Sequence, residues 1–382
     1  MDARYAFRQS RRGIGNYVAA LIGHLPAVAA AEDDFVLYID APADMAALPL
    51  ADPRFRVRRV PVSNPLTFEE WALPRIAAQD RLDLLHLTSN YGPSFPPCPT
   101  VYTIHDLIEW LRPRFSRARL PWRHAAGRAI RMRTLPRQAR AARRVITISR
   151  TSRDDLVNIL RLPGERIAVV PLGVDPELRP PADPAAVRQT LRTQGFPVPE
   201  RYVLALGALD PRKNGPFLMR AFAAAQPVLG DLALWIVGVE RVADYPLPFP
   251  AAPPWLAVRG FLDRETQVRL LQGATAFVYP SLYEGFGLPV LEAMACGVPV
   301  LASDRSSVPE VAGEAALLFD PTDAADLERG LCRLLRDPAL LRALAEHGRQ
   351  QVARFSWPEA ARQTYAVYRA ALAATLPAAS VG

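Results

Sequence analysis

Short apolar runs rich in β-branched residues recur along this chain with helical stretches between them, and this alternation most constrains its fold. They form two series, FVLYID, DLLHLTS, TVYTIHD, RVITIS and RIAVVP, then YVLALGAL, LALWIVG, LAVRGF, AFVYPS, PVLASD and ALLFD. Strands that are apolar throughout are buried on both faces, as in parallel sheets covered by helices. The pattern predicts the α/β class, with two doubly wound Rossmann-like domains.

A stretch rich in proline and charge, GVDPELRPPADPAAVRQTLRTQGFPVPE, separates the two series. We therefore expect a first domain over residues 1–173, a linker over 174–200 and a second domain over 201–355. A C-terminal helix over 356–373, with Ser356 as its cap, is expected to pack back on the first domain. The ligand of two such domains is expected beyond the carboxyl ends of the strands, in the cleft between them.

Terminal and cysteine patterns indicate a cytoplasmic chain. The N-terminus MDARYAFRQSRRGIGNY lacks the apolar core of a signal peptide, and no apolar run is long enough to span a membrane. Only MDARYAF precedes the first glycine turn, so either the first strand is very short or the true start codon lies upstream. The scattered Cys98, Cys296 and Cys332 are interpreted as small buried hydrophobic residues.

Positive charge is concentrated in one segment. The net charge is +8, and Arg112–Arg144 holds twelve arginines and no acid. The segment is either a solvated basic face or a surface that attracts anionic lipid headgroups or a phosphorylated acceptor. No recognised nucleic-acid motif accompanies it, so no nucleic-acid partner is expected. A peripheral position at the inner membrane face is one expectation.

The segment SLYEGFGLPVLEAMACGVPV carries two glutamates eight residues apart, Glu284 and Glu292. A strand, a glycine-rich loop and a proline-started helix are expected here, and a helix N-terminus favours an anion such as phosphate. The loop N–H groups expected to contact it are those of Phe286, Gly287 and Leu288. Glu284 can accept hydrogen bonds from sugar hydroxyls, and Glu292 from a ribose diol. The alternative is one capping and one solvated glutamate.

The segment GALDPRKNG follows another strand and holds Lys213, the single lysine of the chain. Arg212 and Lys213 at this strand end can neutralise a diphosphate. The chain has no Asp-x-Asp pair for a divalent ion, so we expect these cations to take the place of Mg²⁺ and no metal to be needed. A solvated basic turn is the alternative.

These motifs resemble, over nearly the whole chain, the retaining glycosyltransferases of family 4, which have the GT-B fold of two facing Rossmann-like domains. Glu284 and Glu292 stand at the E-x7-E spacing of the family, Lys213 matches its diphosphate lysine, and FSWPEAARQTYAVYR resembles its closing helix. The resemblance implies a nucleotide-sugar donor, no cofactor and retention of the anomeric configuration. Many members have an arginine where Ala208 stands, and Arg212 is expected to replace it.

The first domain adds two weaker similarities. RRGIGNY resembles the glycine-rich first loop of the family, where Gly13 and Gly15 would let backbone amides contact phosphate or acceptor. HLTSNYGP and PTVYTIHDL resemble the region leading to a histidine, here His105, that lies against the transferred sugar and stabilises positive charge at its anomeric carbon. A histidine before Asp is otherwise a strand-end residue paired to a neighbour.

The expected activity is a hexosyltransferase with His105, Glu284 and Lys213 as catalytic residues. The remaining site residues are expected to bind the nucleotide sugar. GIGNY, IHDL and LDPRKN are similar to segments of mannosyltransferases of bacterial surface polysaccharides, which favours mannose from GDP-mannose and a saccharide or lipid-linked acceptor. The alternatives are a phosphorylase or epimerase on the same fold, or a non-catalytic sugar-binding protein.

Overall fold

The computed structural model describes residues 1–9, 11, 13–115, 122–207 and 209–373, without the side chains of 122–126. The chain forms two compact units. The first holds the described residues of Met1–Leu111, Ala118–Gly173 and Trp357–Gly382, and the second those of Arg112–Arg117 and Val174–Ser356. Ala208 and residues 116–121 of the arginine-rich segment lie outside the described residues.

Helices occur throughout both units. They are α1 (Gly13–His24), α2 (Pro65–Thr67), α3 (Leu73–Gln79), α4 (Ile108–Phe115), α5 (Trp122–Ala141), α6 (Arg150–Leu160), α7 (Pro184–Thr193), α8 (Gly215–Leu229), α9 (Arg264–Gly273), α10 (Leu288–Ala295), α11 (Val308–Ala312), α12 (Ala324–Arg336), α13 (Pro338–Val352) and α14 (Trp357–Ala373). A π-helical turn, Phe68–Ala72, joins α2 to α3. No described helix is long and apolar enough to cross a membrane.

The strands alternate with these helices. They are β1 (Phe35–Ile39), β2 (Phe55–Arg59), β3 (Leu85–Leu87), β4 (Thr100–Thr103), β5 (Arg144–Thr147), β6 (Ile167–Val169), β7 (Tyr202–Leu206), β8 (Ala233–Val237), β9 (Leu256–Val258), β10 (Ala276–Tyr279), β11 (Val300–Ser303) and β12 (Ala316–Phe319). Every apolar run named from the sequence contains one of them. The doubly wound α/β prediction is thereby confirmed.

The first unit contains parallel strand pairs in the orders β1-β2 and β3-β4-β5-β6. The N-terminal segment lies between these sheets. Tyr38 N in β1 donates to Met1 O, while Asp2 N donates to His86 O in β3, each at 2.9 Å. Asp2 and Tyr38 form a single parallel bridge. The strand expected at the N-terminus, before β1, therefore pairs over very few of the described residues.

The second unit is built on one parallel sheet in the order β12-β11-β10-β7-β8-β9. Its central strands are apolar on both faces because helices cover both sides. β7 and β10 are adjacent, with Phe277 paired to Leu204. Since both strands run in the same direction, the loops after them leave the same edge of the sheet. This adjacency brings the two motifs of the second domain together.

Three features of the fold go beyond the sequence patterns. β2 (FRVRR) is exposed on most of its residues, because a strand at a sheet edge needs no continuous apolar run. The expected linker contains α7, which is capped by Asp183 and packs against α9. Of the cysteines, only Cys296 is buried, whereas Cys98 and Cys332 are partly exposed.

Helix α14 packs within the first unit, against α1, β4 and β5. Trp357 and Tyr368 are buried there. The Tyr368 hydroxyl lies 2.6 Å from His86 Nδ1 in β3. Apolar packing buries one side of α14, and this buried hydrogen bond to a distant strand also fixes the position of the helix.

Candidate active site

The turn that carries Lys213 is held by its own side chains. Asp210 accepts a hydrogen bond from Arg212 N at 3.0 Å and thereby starts a 3-10 turn over Pro211–Lys213. Asn214 ends the turn in the left-handed region at φ 56°, and α8 begins at the next residue. Leu282 N also donates to Arg212 O at 2.8 Å. The turn is therefore tied to the loop that follows β10.

Lys213 reaches from this turn to the end of β10. Its Nζ donates to Glu284 Oε1 at 2.8 Å and to Tyr279 Oη at 2.9 Å. The Lys213 side chain is 18% exposed and that of Glu284 is 12% exposed. Hydrogen bonds between opposite charges in such shielded surroundings are strong, because water competes little with them. The two motifs identified in the sequence thus meet at one ion pair.

The pKa values in this cluster favour the charged pair. Burial raises the pKa of the Glu284 carboxyl, but Lys213 and then Arg212 lower it more, so that its pKa lies below the ordinary value. Burial likewise lowers the pKa of Lys213, which Glu284 and Tyr279 raise above its ordinary value. Burial, followed by the charge of Glu284, raises the pKa of Tyr279 to about 12. At neutral pH the site holds an ammonium, a carboxylate and a neutral phenol.

Arg212 completes the cluster from the other side. Its Nη1 donates to Tyr283 O at 2.7 Å and lies 3.8 Å from Glu284 Oε2. Its Nη2 is 2.9 Å from Asp210 Oδ2. The guanidinium is only 12% exposed, and its planar fork is engaged by protein oxygens. Arg212 therefore fixes the Glu284 loop and adds positive charge to it.

The glycine-rich loop leads directly into α10. Gly287 stands at the N-cap with φ 99°, which favours glycine because a side chain is strained there. Upstream, the Glu284 carbonyl accepts hydrogen bonds from the hydroxyls of Ser306 at 2.6 Å and Ser307 at 2.8 Å. The N–H groups of Phe286, Gly287 and Leu288 thus lie at the N-terminus of a fixed helix, where the helix dipole favours an anion.

Glu292, on the first turns of α10, is paired with a residue that the sequence analysis did not identify. Arg264, the first residue of α9, places Nη2 2.8 Å from Glu292 Oε1 and 3.3 Å from Asp175 Oδ2. Burial raises the pKa of Glu292, and Arg264 opposes this rise. The only local signal for Arg264 is its position after Asp263, which caps α9. Its pairing across the chain leaves no pattern in the sequence.

In the first unit, His105 is held at the end of β4 by three groups. Its backbone N donates to Asn90 Oδ1 at 2.8 Å, and its Nε2 lies 3.0 Å from Thr88 O. Because a carbonyl oxygen only accepts, Nε2 carries the proton and Nδ1 has a lone pair. The Tyr17 ring meets the imidazole edge-on, with centroids 5.0 Å apart. Burial lowers the pKa of His105 to about 4, so the ring is neutral.

The glycine-rich first loop leads into α1. Gly13 is its first residue and has φ 27°. At Gly15, a Cβ atom would lie 2.7 Å from Tyr5 O, which excludes any larger residue without a backbone shift. Gly15 thus lets α1 start close to the N-terminal segment. Gly13, Gly15 and His105 belong to the first unit, whereas the Lys213, Glu284 and Glu292 clusters belong to the second.

Metal ligands are not grouped in the part of the chain that the structure describes. No three His, Cys, Asp or Glu side chains gather there in a way that could hold a metal ion. The two motif glutamates of the second unit are instead paired with cations, Glu284 with Lys213 and Glu292 with Arg264. The chemistry that these residues can supply is binding of anions and hydroxyl groups.

Comparisons with known proteins agree with this architecture. Residues 11–178 match the family model Glycosyltransferase Family 4, and residues 187–351 match Glycosyl transferases group 1. The chain is 31% identical over 320 residues to O-antigen chain mannosyltransferase B of Escherichia coli, covering 79% of this chain and 77% of that relative. The Serotype-specific mannosyltransferase WbdA of Escherichia coli is 32% identical over 58% of this chain, but this chain spans only 26% of that longer protein.

Among solved structures, the Anabaena protein Alr3699/HepE in complex with UDP-glucose has a TM-score of 0.68 at 18% identity, over 95% of this chain and 98% of that one. The parallel sheets of the two units and this likeness show that the protein has the GT-B fold. It belongs to glycosyltransferase family 4, as the paired family models and the O-antigen relative show.

Proposed function

We propose that the protein transfers a hexose, mannose in the first instance, from a nucleotide-diphosphate sugar to a saccharide or lipid-linked acceptor, with retention and without a metal ion. GDP-mannose is the first candidate donor. The similarity to O-antigen chain mannosyltransferase B supports the sugar. The observation that carries the proposal is the Lys213 to Glu284 contact of 2.8 Å beside the N-terminus of α10.

The donor diphosphate is assigned to the second unit. The ammonium of Lys213, the guanidinium of Arg212 and the N-terminus of α10 supply positive charge and N–H donors. Glu284 already neutralises part of that charge, so an arriving diphosphate competes with the carboxylate for Lys213. In exchange, Glu284 becomes available to sugar hydroxyls. The same ion pair thereby serves both halves of the donor.

Glu292 is assigned to the ribose. Its carboxylate is 14% exposed and has one oxygen, Oε1, on Arg264. A cis-diol can donate two hydrogen bonds to an ionised carboxylate, whereas a protonated carboxyl has a weaker acceptor pair because one of its oxygens carries a proton. Arg264 opposes the rise in the pKa of Glu292 that burial causes, and so favours the ionised form that binds the diol. Arg264 is thus a positioning residue for the ribose.

The transfer step needs no covalent link to the protein. The bond between the anomeric carbon and the diphosphate oxygen breaks while the acceptor oxygen bonds to that carbon from the same face. The acceptor proton passes to an oxygen of the departing diphosphate. Lys213 and Arg212 stabilise the negative charge that develops, and the neutral imidazole of His105 with its Nδ1 lone pair stabilises the positive sugar carbon. Gly13 and Gly15 let backbone amides approach phosphate or acceptor.

The acceptor is proposed to reside at the inner face of the membrane. The basis is the arginine-rich segment Arg112–Arg144, which contains no acid. Basic residues near an anionic lipid surface each add about 1 kcal/mol of attraction. In this view the protein acts as a peripheral membrane protein while the donor comes from solution.

A screen of the purified protein against several nucleotide sugars tests the proposal. We expect calorimetric binding of GDP-mannose, slow hydrolysis without an acceptor, and an axial α-linkage in the NMR spectrum of any product. Sugar phosphate formation from a glycan and inorganic phosphate would indicate a phosphorylase instead. Interconversion of free nucleotide sugars would indicate an epimerase, and binding without turnover a sugar-binding protein.

A further inference from the structure

Four buried side chains from four elements of the first unit form one continuous hydrogen-bond chain. Tyr368 Oη in α14 lies 2.6 Å from His86 Nδ1 in β3, and His86 Nε2 lies 2.7 Å from Thr103 Oγ1 in β4. Thr103 Oγ1 lies 3.1 Å from Tyr17 Oη in α1. None of the four residues is more than 7% exposed. Water therefore competes little with these bonds, and the position of each group depends on the next.

A neutral His86 completes this chain. A neutral imidazole has one donor and one acceptor nitrogen, while a hydroxyl group both donates and accepts. Either tautomer of His86 therefore joins Tyr368 to Thr103, with all donors pointing the same way along the chain. Burial, followed by the charge of the N-terminus, lowers the pKa of His86 well below its ordinary value, so the ring is neutral. Removal of one hydroxyl group leaves a buried polar atom without that partner.

The last member of the chain, Tyr17, packs on His105. The two rings meet at 87° with their centroids 5.0 Å apart. A hydrogen bond between His105 Nε2 and Thr88 O, at 3.0 Å, holds one end of the imidazole. The direction of the lone pair on Nδ1 therefore depends on where the Tyr17 ring stands, and the Tyr17 hydroxyl is fixed by the chain.

Helix α14 has a second polar anchor that offers a comparison. Tyr365, one turn before Tyr368, donates from Oη to Asp33 Oδ2 at 2.6 Å and accepts from Ala30 N at 3.1 Å. Both tyrosines thus attach α14 to the rest of the first unit through a hydroxyl group. Of the two hydroxyl groups, that of Tyr368 belongs to the chain that reaches His105.

We propose that Tyr368 and His86 are positioning residues that hold the imidazole of His105 in the orientation needed for sugar transfer. They act through Thr103 and Tyr17. The inference rests on the proposed function, because the direction of the Nδ1 lone pair affects the rate only if it faces the positive sugar carbon. A small rotation of the ring weakens the stabilisation of that charge in the transition state. The proposed partners of the donor diphosphate lie in the second unit, so donor binding stays the same.

Removal of single hydroxyl groups tests the chain. We expect Tyr368→Phe and Thr103→Val each to lower kcat by about tenfold and to leave KM for the donor within about twofold of wild type. Steady-state transfer kinetics with the donor found by screening provide the measurement. Wild-type kcat in both variants would overturn the inference.

Tyr365→Phe is the matched control, because it removes a hydroxyl group that anchors the same helix. We expect it to keep kcat within about twofold of wild type. An equal loss of kcat in Tyr365→Phe and Tyr368→Phe would assign the effect to the docking of α14 and overturn the inference. In a His105→Ala background, Tyr368→Phe should cause no further loss of kcat, since it acts through His105. A further tenfold loss there would contradict the inference as well.

Histidine side-chain NMR of the full chain tests the positioning without any substrate. The chain has five histidines, and His105→Gln assigns the signals of His105 in a ¹⁵N-histidine-labelled sample. We expect Tyr368→Phe and Thr103→Val to move the ring signals of His105, and Tyr365→Phe to leave them in place. Unmoved His105 signals in Tyr368→Phe would overturn the inference. Moved signals together with a wild-type rate for His105→Ala would confirm the positioning of the ring but contradict its proposed role in transfer.

Discussion

Lys213 Nζ and Glu284 Oε1 lie 2.8 Å apart, although 71 positions separate the two residues in the chain. Adjacent parallel strands explain the contact, since β7 and β10 deliver the loops that carry them to the same edge of one sheet. The pair is largely shielded from water, and Tyr279 and Arg212 lie beside it. The ion pair places an ammonium, which can bind a diphosphate, next to a carboxylate, which can accept hydrogen bonds from sugar hydroxyls.

Replacing Lys213 tests the role of the cation. We expect Lys213→Ala to reduce kcat by about 10²–10³-fold, because charge on the departing diphosphate loses a direct partner. Lys213→Arg should retain only part of the rate, since a planar guanidinium does not reproduce the compact ammonium held between Tyr279 and Glu284. Steady-state transfer kinetics with the donor found by screening provide the measurement. Arg329→Ala, at an exposed arginine of α12, is the control, and equal rates for Lys213→Arg and wild type would contradict a specific need for lysine.

The stability of the same pair predicts non-additive behaviour. Lys213→Ala and Glu284→Ala each leave a shielded charge without its partner, so each should lower the free energy of unfolding by about 3 kcal/mol. The double variant should lose less than the sum of the two, because it leaves neither charge behind. Urea unfolding of all four proteins measures this coupling. Strict additivity would show that the two groups do not interact in solution.

The pairing of Arg264 with Glu292 predicts a pH dependence of donor binding. Burial raises the pKa of Glu292 and Arg264 opposes that rise, so Arg264→Gln should move the pKa further up. Donor affinity, which needs the ionised carboxylate, should then begin to fall at a higher pH than in wild type. Asp175→Asn should shift the onset the other way, since Asp175 also raises the pKa of Glu292. Calorimetric Kd values across a pH series distinguish the two variants from wild type. An equal loss of affinity at all pH values in Arg264→Gln would indicate that Arg264 has a purely structural role.

The buried His105 makes stability fall with acid. Its folded-state pKa is about 4, below the ordinary value of about 6.5, so the unfolded chain binds more protons between these pH values. Its contribution is fully present above about pH 6.5 and decreases as the pH falls toward about 4, by about 3 kcal/mol in total. His105→Gln should therefore reduce the pH dependence of Tm, the midpoint temperature of thermal unfolding, over that pH range. His347→Gln, at an exposed position in α13, should leave the slope as in wild type.

Removal of divalent ions should leave transfer intact. The proposed partners of the diphosphate are Lys213, Arg212 and the α10 N-terminus, none of which needs a metal ion. Transfer rates measured after dialysis against a chelator, with and without added Mg²⁺, should agree within about twofold. A rate that returns only with Mg²⁺ would show that these cations do not substitute for the metal.

The sequence by itself determined the fold class and the motifs of the second unit. Each apolar run became a strand because continuous burial on both faces leaves a local pattern that is readable without the partner strands. The pair of Glu284 and Glu292, with the glycines between them, is likewise a local signal, since a strand, a turn and a helix start lie within a few residues. Lys213 was identified from its position after β7.

Tertiary structure alone decided which groups meet. The contact of Arg264 with Glu292 and Asp175 joins three separate segments, and nothing in the neighbourhood of any of them encodes it. β2 escaped prediction because an exposed edge strand needs no apolar run. Sequence periodicity records the burial of each residue, whereas the chemistry of a site depends on distances between residues far apart in the chain.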